Sequence, residues 1–185
     1  ETPAPEIVLS TSSISGTRGT AITSLTVTAY GGTPSSYSIS PALPSGLSLN
    51  TTTGAVTGTP TVGISSTSFT ITANGLTGSP TASFTLSIGP SQLGQPNITS
   101  GVAKSGSEAS AVSVSFGSIA NASSYSAKVY ASDGVTQVGS TYTNYTSGGA
   151  LGGLNPSTAY KVLVIAVGDG VSYSNSVRSE EHTSE

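Results

Sequence analysis

The chain has 185 residues, a net charge of −3 and only 7% charged side chains, with no basic cluster, so neither a nucleic acid nor an anionic membrane surface is an expected partner. The absence of cysteine excludes a disulfide framework. The 23 glycines and the abundance of Ser and Thr suit solvated strand faces and tight turns, and suit helices poorly. No apolar run reaches the length of a membrane span, so no direct membrane insertion is expected.

The length allows two sandwiches of about 90 residues each. Thr2-Pro3-Ala4-Pro5 is a proline-stiffened entry, and residues 1–6 read as a linker. Ile7 to Leu9 forms a first edge strand. Thr20 to Tyr30 reads as a half-buried strand, with Ile22, Leu25, Val27 and Ala29 on its core side. Gly31-Gly32-Thr33-Pro34 breaks it, and Tyr37 and Ile39 head the next strand.

Residues 43–60 then read as strand, turn, strand. Pro44 fixes φ, and Gly46 permits an angle that a side chain resists. Leu47 and Leu49 share a face, Asn50 to Gly54 is a hairpin loop, Val56 returns to the core, and Gly58-Thr59-Pro60 ends the unit. With Leu43, this run resembles the signature of the Ig-like, cadherin-like domains repeated in large bacterial surface and secreted proteins. The resemblance spans roughly residues 29–88. Ser68 to Ala73 turns Phe69, Ile71 and Ala73 inward, and Ser83 to Ile88 does the same with Phe84, Leu86 and Ile88.

Residues 90–96, rich in Pro, Gly and Gln, read as a second linker. The alternation restarts with Val112, Val114 and Phe116, then Tyr125, Ala127 and Val129, then a polar strand over Gln137 to Tyr142. Lys161 to Val167 is the most apolar strand, and Ser172 to Val177 begins another. Leu154-x-Pro156-x-Thr158-x-Tyr160 and Ser124 to Tyr130 resemble the corner motif and third strand of fibronectin type III domains, over roughly residues 95–177. The corner resemblance implies a tyrosine whose ring fills the core end and whose hydroxyl satisfies upstream backbone. Phe116 stands where that family usually carries Trp.

Half of the last eight residues, 178–185, are charged, against 7% overall, and the sole histidine is among them. This octapeptide resembles the translation of a common DNA-sequencing adapter. It is read as a non-native tail, which would leave the last strand of the second sandwich truncated at Val177.

Residues that carry chemistry are scarce. Outside the tail the acids are Glu1, Glu6, Glu108, Asp133 and Asp169, and the last two sit in Ser-Asp-Gly and Gly-Asp-Gly turns where Asp favours turn geometry. No histidine or lysine stands near a serine in a nucleophile motif. Calcium, which the cadherin-like resemblance brings to mind, needs six to eight oxygens, and the first half offers only Glu1 and Glu6. No metal, cofactor or catalytic residue is therefore expected. An isopeptide bond would require Lys104, Lys128 or Lys161 buried beside an acid, and the latter two alternate outward. Four Asn-x-Ser/Thr acceptor patterns, at Asn50, Asn97, Asn121 and Asn144, are little more than a chain so rich in hydroxyls produces by chance.

With Tyr160, Val162, Val164 and Ala166 inward, Leu163, Ile165 and Val167 face outward beside Tyr130, a candidate partner surface. Tyr142 and Tyr145, aromatics in a polar strand and loop, are candidate glycan contacts.

The expected fold is all-β: two tandem antiparallel β-sandwiches, Ig-like (cadherin-like) over 7–89 and fibronectin type III-like over 97–177. The resemblances imply non-enzymatic extracellular modules of a larger bacterial surface or secreted protein, acting as spacer or adhesion units. Neighbouring modules of the same chain are the partners, with protein or glycan ligands besides. Two alternatives stand. The modules are spacers or glycan binders accessory to a secreted polysaccharide-degrading enzyme, or the chain is a fibre subunit donating Glu6 to Ser12 to a neighbour's sheet edge.

Overall fold

Gly46 and Gly58 let two stretches of backbone approach more closely than side chains allow. The Thr59 amide donates to the Gly46 carbonyl at 2.9 Å, and the Thr61 amide to that of Ser45 at 2.9 Å. Both glycines are left-handed, at φ +91° and +129°. A β-carbon on Gly58 would lie 2.2 Å from the Gly46 carbonyl oxygen, and one on Gly46 would lie 2.0 Å from that of Thr59. The hairpin they clamp carries Val56 into the interior with no exposure.

The computed structural model describes residues 4–103 and 110–183. Glu1, the Thr2-Pro3 half of the entry, Lys104, Glu108 and residues 184–185 lie outside the described residues. Contacts divide the chain into two compact units, residues 1–91 and 92–185. All regular elements among the described residues are strands, and none of the described residues forms a helix long and apolar enough to cross a membrane.

Unit 1 contains β1 (Glu6–Leu9), β2 (Ser13–Thr17), β3 (Val27–Tyr30), β4 (Ser36–Ser40), β5 (Leu47–Leu49), β6 (Val56–Gly58), β7 (Ile64–Asn74) and β8 (Thr81–Gly89). β1 pairs with β3 and β5 with β6, and the Leu25–Val56 bridge joins the two pairs. The opposing sheet runs β2-β8-β7-β4, with β2 parallel to β8. This order, four strands facing a sheet whose central pair is the last two strands, is that of an Ig-type sandwich. The first strand is shared between sheets: β1 lies in one and β2 in the other. Phe69 and Phe84 stack at 5.7 Å in the core with Leu25, Ile71 and Leu86. The Ser40–Pro41 peptide is cis.

Two features depart from the sequence reading. Thr20 to Thr26 is not strand. Ile22 and Leu25 are buried there, but their amides donate singly to the carbonyls of Gly58 (3.0 Å) and Val56 (3.1 Å) instead of forming a ladder. β2 gave no alternating signal because Ile14 is its only large apolar residue. It is held by parallel pairing with β8, which single-strand periodicity does not reveal.

Beyond Ser91–Gln92 (β9), at the division, unit 2 contains β10 (Ile98–Ala103), β11 (Val112–Phe116), β12 (Ser124–Ala131), β13 (Gln137–Tyr142), β14 (Tyr160–Val167), β15 (Tyr173–Ser174) and β16 (Ser179–Thr183). β10 pairs with β11, which bridges to Leu151, and these face the sheet β13-β12-β14-β16. Val114, Ala127, Val129, Val162 and Val164 fill the space between with no exposure. The last residues therefore do not stand apart from the fold. Ser179 to Thr183 pairs antiparallel with β14, from Val164↔Ser179 to Tyr160↔Thr183, where the sequence reading ended the strand at Val177. The backbone of β14 takes this partner because its edge is otherwise open, and the buried Ser179 hydroxyl donates to the Val164 carbonyl at 3.0 Å.

Gly58→Ala is expected to destabilise unit 1 by roughly 2–4 kcal/mol, from left-handed strain and a backbone clash. Gly117→Ala in unit 2, with open space around it, is expected to shift stability by less than about 0.5 kcal/mol. Urea denaturation of each variant checks both.

Candidate interaction surfaces

The outer face of β12 and β14 is set by register. Tyr130 lies opposite Lys161, Lys128 opposite Leu163, Ser126 opposite Ile165 and Ser124 opposite Val167. Directly opposed residues share a face, so the four candidate partner-surface residues do lie on one side. They are not equally available. Tyr130, Ile165 and Val167 are half-buried, but Leu163 is 3% exposed. This corrects the outward reading of Leu163. Its strand is central, with β12 on one side and β16 on the other. Lys128, directly opposite, is itself half-buried, its aliphatic stem lying on this face.

Of the two candidate glycan contacts, Tyr145 is buried and Tyr142 half-buried. Tyr145 is 7% exposed. Its hydroxyl donates to the Gly149 carbonyl at 2.8 Å and accepts from the Val114 amide at 3.2 Å, and its ring lies 6.0 Å from Phe116. Desolvation pushes its phenol above the ordinary value. Tyr142 packs against the core, and its hydroxyl donates to the Gly152 carbonyl at 2.9 Å. A sugar cannot stack on the buried Tyr145 ring. The sequence missed it because a polar strand and a Gly-rich loop look solvent-facing, while the alternation of Tyr142 with its neighbours places it on the core side.

Tyr160 occupies the corner that the fibronectin type III resemblance implies. It is 5% exposed, and its hydroxyl accepts from the Asn155 amide at 2.8 Å. Leu154 beside it is buried, and Pro156 is exposed in the turn. Phe116 packs on Tyr125 at 4.7 Å, so two smaller rings fill the region where a single Trp would sit in that family.

The acids of unit 2 form the same turn twice. Asp133-Gly134-Val135-Thr136 and Asp169-Gly170-Val171-Ser172 each use a carboxylate oxygen to accept the amides two and three residues on, at 2.8–3.0 Å. Asp133 also accepts from the Thr136 hydroxyl at 2.6 Å. That bond and the two amides, with the Lys161 ammonium behind them, hold its pKa down to about 2. Backbone donors, the Tyr173 amide first, lower that of Asp169. The turns lie beyond opposite ends of the β12–β14 pair, more than about 20 Å apart. They therefore do not form the close carboxylate pair that glycoside hydrolysis requires. No group of three or more metal-ligating side chains occurs among the described residues.

These geometries stand beside three comparisons. Residues 5–89 match the family described as "Putative Ig domain" (He_PIG). Unit 1 is thus similar to that family over the segment whose strand order is that of an Ig-type sandwich. No curated protein sequence matches the chain. Among solved structures, it is similar to the FN1-FN3 domains of chicken CNTN1 (18% identity, TM-score 0.39, covering 98% of this chain and 67% of that one). It is also similar to domains A168-A170 of titin (15% identity, TM-score 0.35, 97% and 65%) and to the CD2-binding domain of CD58 (12% identity, TM-score 0.36, 94% and 96%). The chain spans about two thirds of the length of the first two. At these scores the architecture of unit 2 rests on its own strand order.

Ile165→Lys is expected to cost unit 2 less than about 1 kcal/mol, and Leu163→Lys about 2 kcal/mol or more, because only the latter forces an ammonium into a buried site. Denaturant midpoints separate the two. Asp133 also makes a pH prediction. Its folded pKa lies below the unfolded value, so its contribution is complete above about pH 4 and is lost as pH falls through about 2. The thermal midpoint of Asp133→Asn should therefore lie below that of the parent at pH 6 and converge with it near pH 2.

Proposed function

We propose that the chain is a pair of non-enzymatic extracellular modules from a larger bacterial surface or secreted protein, acting as spacer or adhesion units. The observation that carries this is the Gly46–Gly58 clamp within a segment that matches an Ig-like family. Domains of this kind are generally non-catalytic and typically extracellular, and their strand framework serves to hold other groups at a distance. The acids described in unit 2 support the same reading, since both carboxylates are engaged in shaping turns. Of the alternatives, the glycan-binding role is weakened by the burial of one of its named contacts, Tyr145. The strand-donor role loses its free donor, because Glu6 to Leu9 pairs in cis with β3.

A spacer must resist extension as discrete units. Pulling the chain by its ends is expected to give two separate force peaks, each releasing about 30 nm of chain, at roughly 3.4 Å per residue. A featureless plateau, or steady turnover of a polysaccharide by the purified chain, would contradict the proposal.

A further inference from the structure

We infer that the open edge of β8 in unit 1 is a docking site for an extended, uncharged peptide strand carrying one aliphatic side chain. β2 pairs with β8 only from Ser13↔Thr85 onward, and the Thr85 amide donates to the Ser12 carbonyl at 3.0 Å. Odd-numbered residues of β8 thus turn their backbone groups toward β2. Even-numbered positions turn theirs toward β7, as the Ala73 amide bonded to the Pro80 carbonyl shows at the strand entry. At Ser83 and Thr81 the β2 side has no ladder partner. Ser83 therefore presents an amide and a carbonyl outward, a template for strand addition.

A second, independent feature adjoins that edge. A recess of about 270 Å³ is lined by Ile7, Val8, Leu9, Thr11, Ala82 and Ser83. It exists because the chain crosses between sheets after Leu9: β1 is paired with β3 in one sheet and β2 with β8 in the other, leaving this corner of the sandwich unclosed. β1 cannot fill it, since its four residues are all registered against β3. The lining residues include no ionisable side chain. A strand lying on Thr81 to Ser83 points alternate side chains between the sheets, so its inward residue enters the recess. A charged residue there would lose hydration with no counter-charge. The edge selects backbone, and the recess selects an apolar side chain over a charged one. The inference rests on unit 1 alone and does not depend on the spacer reading.

The test is an NMR titration of the ¹⁵N-labelled full chain with the blocked peptide acetyl-Thr-Thr-Val-Thr-Thr-amide. Saturable amide shifts at millimolar peptide, confined to Ile7 to Ser12 and Thr81 to Phe84, are expected. Replacing the peptide's Val by Asp, or N-methylating its edge-facing amides, should weaken binding at least about tenfold. Ser83→Pro, which removes an outward amide that makes no ladder bond, should do the same with the rest of the spectrum retained. The N-methylated peptide leaves the protein unchanged, so it decides the matter if Ser83→Pro perturbs folding. No shifts, shifts scattered over the surface, or equal binding of the N-methylated peptide would overturn the inference. Such failure would leave the spacer reading to its own force measurement.

Discussion

Unit 1 is organised by a backbone-to-backbone contact that no side chain can make. The Gly46 carbonyl accepts the Thr59 amide at 2.9 Å, in a space a β-carbon would occupy. Its consequences spread through the sheet. The clamp fixes β5 against β6, β6 delivers Val56 to the interior, and Val56 exchanges both backbone bonds with Leu25. That exchange is an isolated bridge between the stretch leading into β3 and strand β6. The Gly58 carbonyl also anchors Ile22. A stretch of chain without regular strand pairing is thus held over the core by the products of one glycine pair.

Unit 2 meets the same need, satisfying backbone groups where sheets end, with hydroxyls instead of glycines. Tyr145 serves Val114 and Gly149, Tyr160 serves Asn155, and Tyr125 serves Ile119. The Ser176 hydroxyl accepts from the Ala166 amide where β14 has run past its ladder with β16. In a chain with 7% charged residues, hydroxyls supply the directed hydrogen bonding that ionic groups supply elsewhere. They do so at little desolvation cost, because each buried oxygen has a partner. Every buried side-chain nitrogen or oxygen among the described residues is satisfied.

Much of this architecture was legible in the sequence because its signals are local. Pro44, Gly46, Gly54, Gly58 and Pro60 mark turns by their own backbone chemistry, and Phe69, Ile71, Ala73 and Phe84, Leu86, Ile88 alternate without interruption. What was not legible depends on partners distant in the chain. β2 has one apolar residue and exists through β8. Ser179 to Thr183 is polar and exists through β14. Leu163 obeys the outward alternation of its strand yet is covered, because cover comes from neighbouring strands and alternation reports only a residue's own. Tyr145 reads as a surface aromatic for a related reason: Tyr serves equally as a wet contact or a core plug, and only Val114 and Gly149, brought in by the fold, decide between them.

If the Gly46–Gly58 contact organises unit 1, it is as stable as the core around it. Residue-resolved amide hydrogen exchange tests it most directly. Thr59, Val56 and Leu25 should exchange only through global unfolding of unit 1, with the same free energy as Ile71 and Leu86 in the facing sheet. Exchange of Thr59 and Val56 within minutes, while Ile71 and Leu86 stay protected, would show that the clamp opens independently and contradict the account.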